Sequence, residues 1–549
     1  MSAVKFDTSH TVEYQKIHRE FKWQVPEYFN FGFDVVDQWA KDRTKLALLS
    51  VDEKGDKARF QSFFDLSIAS NRLANVLLRL GLKKGERVLV ILQSIPAWYE
   101  VLLGMFKLGV IPMPGTVLLT AKDIAYRVKR AEASMIITDS EHMGRVEKIE
   151  SDCPTLRHKM VVGPASKGWL SYEEETARAG AHLDRSGLEP TRSDEPMLLY
   201  FTSGTTGQPK MVLHNHSYSL GHLTTARYAQ NLQSGDLHWT ISETGWAKAA
   251  WGKLFGQMIL GAAIIQRESP GRFDPEVVLG IMERYGVTTF CAPPTVYRLM
   301  IQLDLSKYNL SLRQCGSAGE PLNPEVIKVW REAFGLDIYD FYGQTETVSL
   351  LANYPFMPLK YGSVGQPTPG HDVRVVDGEG RELGPNEEGT IALYLGQGLR
   401  PPGLMREYWK DSEAMAWSFR GDYYYTGDTA FRDEEGYFWF VGRDDDIIKS
   451  SGYRIGPFEV ESTLIEHPAV AECAVVGVAD PEGVRGTLVK AVIVLAEGYE
   501  AGEVLTKELQ DYVKNNTAPY KYPRLVSYVS ELPKTISGKI LRRELREGE

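Results

Sequence analysis

From Arg87 onward, short apolar runs alternate with amphipathic ones. VLVIL (88–92) reads as a strand, AWYEVLLGMFKLG as a helix, VIPMP as a strand, AKDIAYRVKRAEA as a helix, and MIITD, ending at Asp139, as a strand. Such alternation predicts an α/β domain with a largely parallel sheet. The pattern resumes at MLLYF (197–201) and again around Val287 to Ala292, so one large domain is expected to run through most of the chain. No internal repeat or low-complexity tract interrupts it.

The texture changes near residue 440. FWFVGRDDDIIKSSGYRIG packs an aromatic strand, an acidic triplet and a Gly/Ser turn into one stretch. Pro457 then opens a predicted helix, FEVESTLIEH, as a first-turn proline. The strand-like runs AECAVVGV and LVKAVIVL follow, then an amphipathic helix around Val504 to Asn515 and a basic tail. These readings place a boundary in the acidic triplet Asp444 to Asp446. The expected fold is a large N-terminal multi-sheet α/β domain, residues 1–444, with a small mobile α+β C-terminal domain, residues 445–549.

Length agrees, because 549 residues exceed what one core organises. A charged fraction of 24% and a hydrophobic fraction of 43% are those of an ordinary globular protein. The net charge of −10 argues against nucleic-acid binding, which needs a basic face. The four cysteines, Cys153, Cys291, Cys315 and Cys473, form no C-x-x-C pair, so neither a disulfide framework nor a thiolate metal site is indicated. The apolar stretch Val88 to Leu119 is broken by Gln93, Pro96, Glu100 and Lys107, and the N-terminus lacks an apolar signal region. A cytoplasmic protein without a membrane span is expected; the oligomeric state is left open by the sequence, with a homodimer as one alternative.

Candidate chemistry begins at TSGTTGQPK (202–210). Glycines let backbone N–H groups converge, and hydroxyls and a lysine add donors, which is the inventory of a phosphate cradle and equally of a polar turn between two strands. It is not a Walker loop, since Gly204 and Gly207 are three apart and Met211 follows Lys210. In FYGQTET (341–347) a carboxylate among neutral donors suits Mg²⁺ beside a phosphate, or a solvated turn. GSAGEPL (316–322) is flexible enough for backbone to approach a planar ring. YYYTGDTA (423–430) sets Asp428 in a Gly-Asp turn at a strand end, where it could accept ribose hydroxyls; Arg443 could serve the same sugar. PKTISGKILRREL (533–545) carries Lys539 on a turn ahead of a short helix, where it is either a mobile charge or an ordinary solvated lysine near the C-terminus. His214 and His216 are read as structural.

In this order, YFTSGTTGQPKMV, SAGEPL, YGQTET, YTGD, GRDDDIIKSSGYRIGP and PKTISGKI resemble the adenylate-forming superfamily, from about Trp39 to the C-terminus. Within it, SGYRIGPFEVES, EHPAVAE and TAPYKYPR look most like medium-chain acyl-CoA synthetases. The resemblance implies ATP, Mg²⁺ and coenzyme A, with a carboxylic acid as the fourth participant. Phosphate contacts would come from Thr202, Ser203, Gly204, Thr205, Thr206 and Lys210. Gly319, Glu320 and Pro321 would line the adenine, with Asp340, Phe341 and Tyr342 on its other side. Gln344 joins the nucleotide site, Thr345 would meet the α-phosphate, Glu346 the metal, and Asp428 and Arg443 the ribose.

Lys539 would offset the charge repulsion when a carboxylate attacks the α-phosphorus. Asp445 would be the hinge about which the small domain rotates before thioester formation. Coenzyme A contacts are carried over to Ser451, Gly452, Tyr453, Arg454, Arg485, Lys514 and Tyr522. Acetate-specific relatives have tryptophan where Gly343 stands here, so an opened acyl pocket is expected, walled by Trp246, Trp251, Cys291 and Val348. Lys248 departs from the apolar character expected there; it could narrow the tunnel, pair with Glu243 or point to solvent. Two rivals remain at this stage: a ligase that loads a carrier protein, and a nucleotide-binding protein that no longer turns over.

Overall fold

The structure is a computed structural model that describes residues 9–202, 209–268, 273–398, 400–443, 446–450, 453–480, 487–534 and 540–547. The predicted alternation is realised as the five-stranded sheet Ile111–Pro114, Arg87–Ile91, Met135–Asp139, His158–Val162 and Leu170–Ser171, all neighbours parallel. Its first crossover helix, Pro96–Leu108, starts on a proline, ends at Gly109 in the left-handed region (φ 65°) and is buried along its whole length. The polar residues that break this apolar stretch are accommodated by pairing. Lys107 Nζ lies 2.7 Å from both Asp37 Oδ1 and Asn71 Oδ1, and Glu100 accepts from Gln61 and from the Tyr172 hydroxyl. The second crossover helix, Ala121–Ala131, opens on a capping box between Thr120 and Asp123.

A nine-stranded sheet forms the second layer. Five of its pairings are parallel, joining Leu46–Val51, Ala263–Arg267, Leu237–Thr240, Thr289–Ala292, Gln314–Ala318 and Ile338–Gly343. The strands Ser349–Ala352 and Gln366–Pro367 extend it antiparallel.

MLLYF does not continue either parallel sheet. It lies in Pro196–Thr202, which pairs antiparallel with Lys210–Asn215, and that strand pairs antiparallel with Glu407–Tyr408. The reason is the connection: seven residues separate Thr202 from Lys210, too few for a crossover helix, so the chain turns back on itself. An antiparallel sheet of Val373–Val376, Gly389–Tyr394, Tyr423–Arg432 and Phe419–Arg420, with Phe438–Arg443 on the long strand, completes the large N-terminal domain.

The smaller C-terminal domain has the predicted α+β pattern. The helix Pro457–Ile465 packs on Val470–Ala479, which pairs with Thr487–Leu495 and, beyond it, Leu525–Tyr528; Glu503–Asn516 covers the sheet through Leu509 and Val513. The short helix Arg542–Glu547 closes the described chain. No helix among the described residues is long and apolar enough to cross a membrane.

Candidate functional site

In the nine-stranded sheet the parallel strands end on one side, at Thr240, Ala292, Ala318 and Gly343. Loops leaving the carboxyl ends of such strands form a crevice. Trp246, Lys248, Cys291, Gly319 and Tyr342 all belong to those ends, so topology alone gathers residues that lie about a hundred positions apart.

Thr202 and Lys210 are register partners at the mouth of the antiparallel pair, and both are half-buried. Ser203, Gly204, Thr205 and Thr206 lie outside the described residues. The Lys210 ammonium stands 5.0 Å over the Tyr408 ring. Tyr408 in turn donates its hydroxyl to Glu346 Oε1 at 2.7 Å. The loop cation and the acidic residue of the QTET turn thus share one tyrosine, which no sequence pattern singled out.

The turn itself is held from several sides. Gln344 N–H donates to Thr347 Oγ1 at 3.1 Å, Met405 N–H to the Glu346 carbonyl at 2.7 Å, and His214 Nε2 lies 2.9 Å from the Thr345 carbonyl. Glu346 is half-buried, and among the described residues no ammonium or guanidinium pairs with it. A half-buried carboxylate without a protein cation, next to a threonine hydroxyl, fits a hard divalent cation.

Asp428 accepts from the Tyr342 hydroxyl at 2.6 Å and from Gln344 Nε2 at 2.7 Å, while Gln344 Oε1 accepts from the Tyr424 hydroxyl at 2.8 Å. FYGQTET and YYYTGD are therefore one hydrogen-bonded unit. The expected turn at Asp428 is not there: the residue sits within the ten-residue strand Tyr423–Arg432, buried, opposite Arg443 in register. Gly427, at φ 76°, irregularises the strand without ending it, because Tyr425 before it pairs with Ala392 and Asp428 after it pairs with Arg443. Arg443 is exposed.

Gly319 has φ 108°, and a Cβ added there would meet nothing within 4 Å, so backbone is open to a flat ligand. Glu320 lies 3.6 Å from Arg298, and Pro321 is half-buried beside it. Asp340 accepts from Phe341 N–H at 3.0 Å and Leu322 N–H at 3.3 Å. Burial nonetheless dominates and pushes its carboxyl up to about 8. Phe341 departs from the adenine grouping: its ring packs on Gly316 and in a cluster with Cys291, Ala318 and partly buried Trp251, on the side of the expected acyl walls. Strand alternation explains this, since Asp340 and Tyr342 share the opposite face.

Cys291 and Val348 are fully buried, whereas Trp246 and Trp251 are half-buried. Lys248 donates to the Ala318 carbonyl at 2.7 Å, a partner none of the three sequence readings named. A Cβ at Gly343 would lie 2.3 Å from the Val348 carbonyl oxygen, so any side chain at 343 has to displace backbone. Glu243, named in one of the three alternatives left open for Lys248, accepts from Val117 N–H and Gly245 N–H, at 3.2 and 2.9 Å.

In the C-terminal domain Lys514 stands 4.1 Å over the Tyr522 ring, and half-exposed Tyr453 stacks on Tyr520 at 4.0 Å. Among the expected coenzyme A residues, Lys514 and Tyr522 thus form one contact, and Tyr453 makes another with Tyr520, a residue the sequence had not singled out. Asp445, Ser451, Gly452, Arg485, Lys539 and the side chain of Arg454 lie outside the described residues.

Residues 35–409 match the family model of the AMP-binding enzymes, and residues 459–539 that of the AMP-binding enzyme C-terminal domain. The mitochondrial acyl-coenzyme A synthetase ACSM3 of Mus musculus is 45% identical over 98% of this chain and 93% of its own length. Its counterpart ACSM4 of Homo sapiens is 47% identical over 96% and 91%. Among solved structures, the anthranilate CoA ligase AuaEII, crystallised with anthranoyl-AMP, superposes with a TM-score of 0.87 at 31% identity, covering 95% of this chain and 98% of its own. With both family models matched and relatives of 45–47% identity covered almost end to end, the chain belongs to the AMP-binding, adenylate-forming enzymes and, within them, to the medium-chain acyl-CoA synthetases, which ligate an acid to coenzyme A through an acyl-adenylate.

Proposed function

We propose that this synthetase acts on a short-to-medium or branched-chain acid and that the residues of the cleft divide the work between charge neutralisation and positioning. The observation that carries the reading is the connected set Lys210, Tyr408 and Glu346 on one side and Tyr424, Gln344, Asp428 and Tyr342 on the other, which links three motifs that lie far apart in the sequence.

In this reading Thr202, Ser203, Gly204, Thr205, Thr206 and Lys210 cradle the outer phosphates of ATP, Gly319, Glu320, Pro321, Asp340 and Tyr342 flank its base, and Asp428 with Arg443 holds the ribose. The acid's carboxylate attacks the α-phosphorus, the bond to the bridging oxygen breaks, and pyrophosphate leaves. Both reactants are anionic, so the chain has to offset repulsion. Lys539 contributes the mobile ammonium, Thr345 a hydroxyl at the α-phosphate, and Glu346 the anionic oxygen that would hold Mg²⁺. When bound, that ion neutralises phosphate charge. The thiol of coenzyme A then attacks the carbonyl of the mixed anhydride and AMP departs.

The domain boundary is proposed at 444/445, with Asp445 as the hinge and Tyr453, Lys514 and Tyr522 on the face that meets coenzyme A. Absence of a side chain at Gly343 supports an acid longer than acetate, at about 0.8 kcal/mol for each further buried methylene. All four cysteines are free and buried, which supports a reducing compartment, the cytoplasm in our reading; the mitochondrial designation belongs to the relatives. Coenzyme A consumption across straight and branched acids of about two to twelve carbons tests the proposal. A maximum at acetate, or none below the longest acids, would overturn the pocket assignment.

A further inference from the structure

His214 is given no role by the division of labour above, yet it touches the turn on which that division depends. The ring is fully buried in the strand Lys210–Asn215. A carbonyl oxygen can only accept, so the contact with Thr345 requires the hydrogen on Nε2. Nδ1 is left with the lone pair and has no hydrogen-bond partner among the described residues. Burial lowers the imidazole to about 3, so the ring stays neutral through the working range. Tyr218 stacks on it at 3.7 Å and 25°, with His222 edge-on to Tyr218 at 4.6 Å, and this sandwich fixes the plane of the donor.

The same strand begins with Lys210, at the end of the phosphate loop. Four residues apart, Lys210 and His214 lie on one face about 13 Å from each other. The strand's partner Tyr408 reaches Glu346 from the other side. One rigid element therefore carries both the loop and the clamp on the turn, although the turn belongs to a different sheet.

We infer that His214 is a positioning residue for adenylation: its Nε2–H holds the Thr345 carbonyl so that the Thr345 hydroxyl and the Glu346 carboxylate keep a fixed distance from Lys210. The inference rests on the proposed placement of Thr345 at the α-phosphate and Glu346 at the metal. His214→Phe keeps the stacked ring and removes the donor, whereas His214→Gln offers an amide N–H of similar reach. In acid-dependent exchange of pyrophosphate into ATP, His214→Phe is expected to lose about tenfold or more in kcat, with KM for the acid within about twofold. His214→Gln should regain most of the loss, and both should melt with the wild type. If the phenylalanine variant does not fold, His214→Asn, whose amide is too short to reach, takes its place with the same expectation.

Exchange within about twofold of wild type in the folded donor-less variant overturns the assignment, as does a folded glutamine variant no better than it. A second arm is independent of turnover: the ring nitrogens, followed by selective ¹⁵N labelling, should report one neutral Nε2–H tautomer from about pH 5 to pH 9. A titrating or Nδ1-protonated ring refutes the geometry. Wild-type protein that exchanges no pyrophosphate would instead refute the proposed chemistry and leave the tautomer measurement standing.

Discussion

Asp340 holds a proton where an exposed aspartate would not. Its folded value of about 8 stands above the unfolded 3.8, so between those limits the native chain binds the extra proton. Native stability is then expected to fall as pH rises from about 4 to about 8, by at most roughly 1.4 kcal/mol per unit. Asp340→Asn removes this dependence, and the stability difference between variant and wild type, measured by urea unfolding, should move in the variant's favour from pH 5 to pH 8. Tyr408→Phe takes one hydrogen bond from the Glu346 carboxylate. A bond to a charged group contributes about 1.5–3 kcal/mol, so adenylation should slow by about tenfold or more while the acid's KM holds, as read from single-turnover pyrophosphate release. Glu346 and Asp428 were legible because they sit in short motifs with neighbouring donors. Tyr408 and His214 were not, since the groups they touch are 62 and 131 positions away and only the folded sheet brings them near.

Elements were legible where periodicity was regular and misleading where connection length decided the outcome. The helices around 97–108 and 121–131 and the helix opened by Pro457 follow directly from pattern and capping. MLLYF looked like one more parallel strand, and only the seven-residue return to Lys210 makes it antiparallel. Close backbone approach was also invisible. A Cβ at Gly221, in the helix Tyr218–Thr224, would lie 2.4 Å from Gly403 Cα, two residues before the Met405 N–H that holds Glu346. Gly221→Ala is therefore expected to cost about 1–3 kcal/mol and to depress pyrophosphate exchange, as melting and exchange assays on one preparation would show. At Gly343 the Val348 backbone is in the way. Gly343→Trp should lower stability and still raise the ratio of acetate to hexanoate kcat/KM; an unchanged ratio removes Gly343 from the acyl pocket.

For the molecule as a whole, the two-domain division was readable from the change of texture near residue 440, because a new core needs a new pattern of strands. Alternation between half-reactions is a matter for kinetics: Lys539→Ala should abolish adenylate formation and spare thioester formation from supplied acyl-adenylate, whereas Asp445→Pro should do the reverse. Both are read by quenched-flow assays of each half-reaction. A further consequence follows from the cysteines. Burial raises Cys291 to about 11 and Cys315 to about 12, and Cys153 and Cys473 are also raised and enclosed. An enzyme that manufactures an activated acyl group beside its own sulfur risks labelling itself. Here every native sulfhydryl stays protonated and walled in, so the visiting cofactor's sulfur faces no internal competitor, and intact mass after incubation with acid and ATP alone should show no acylated protein.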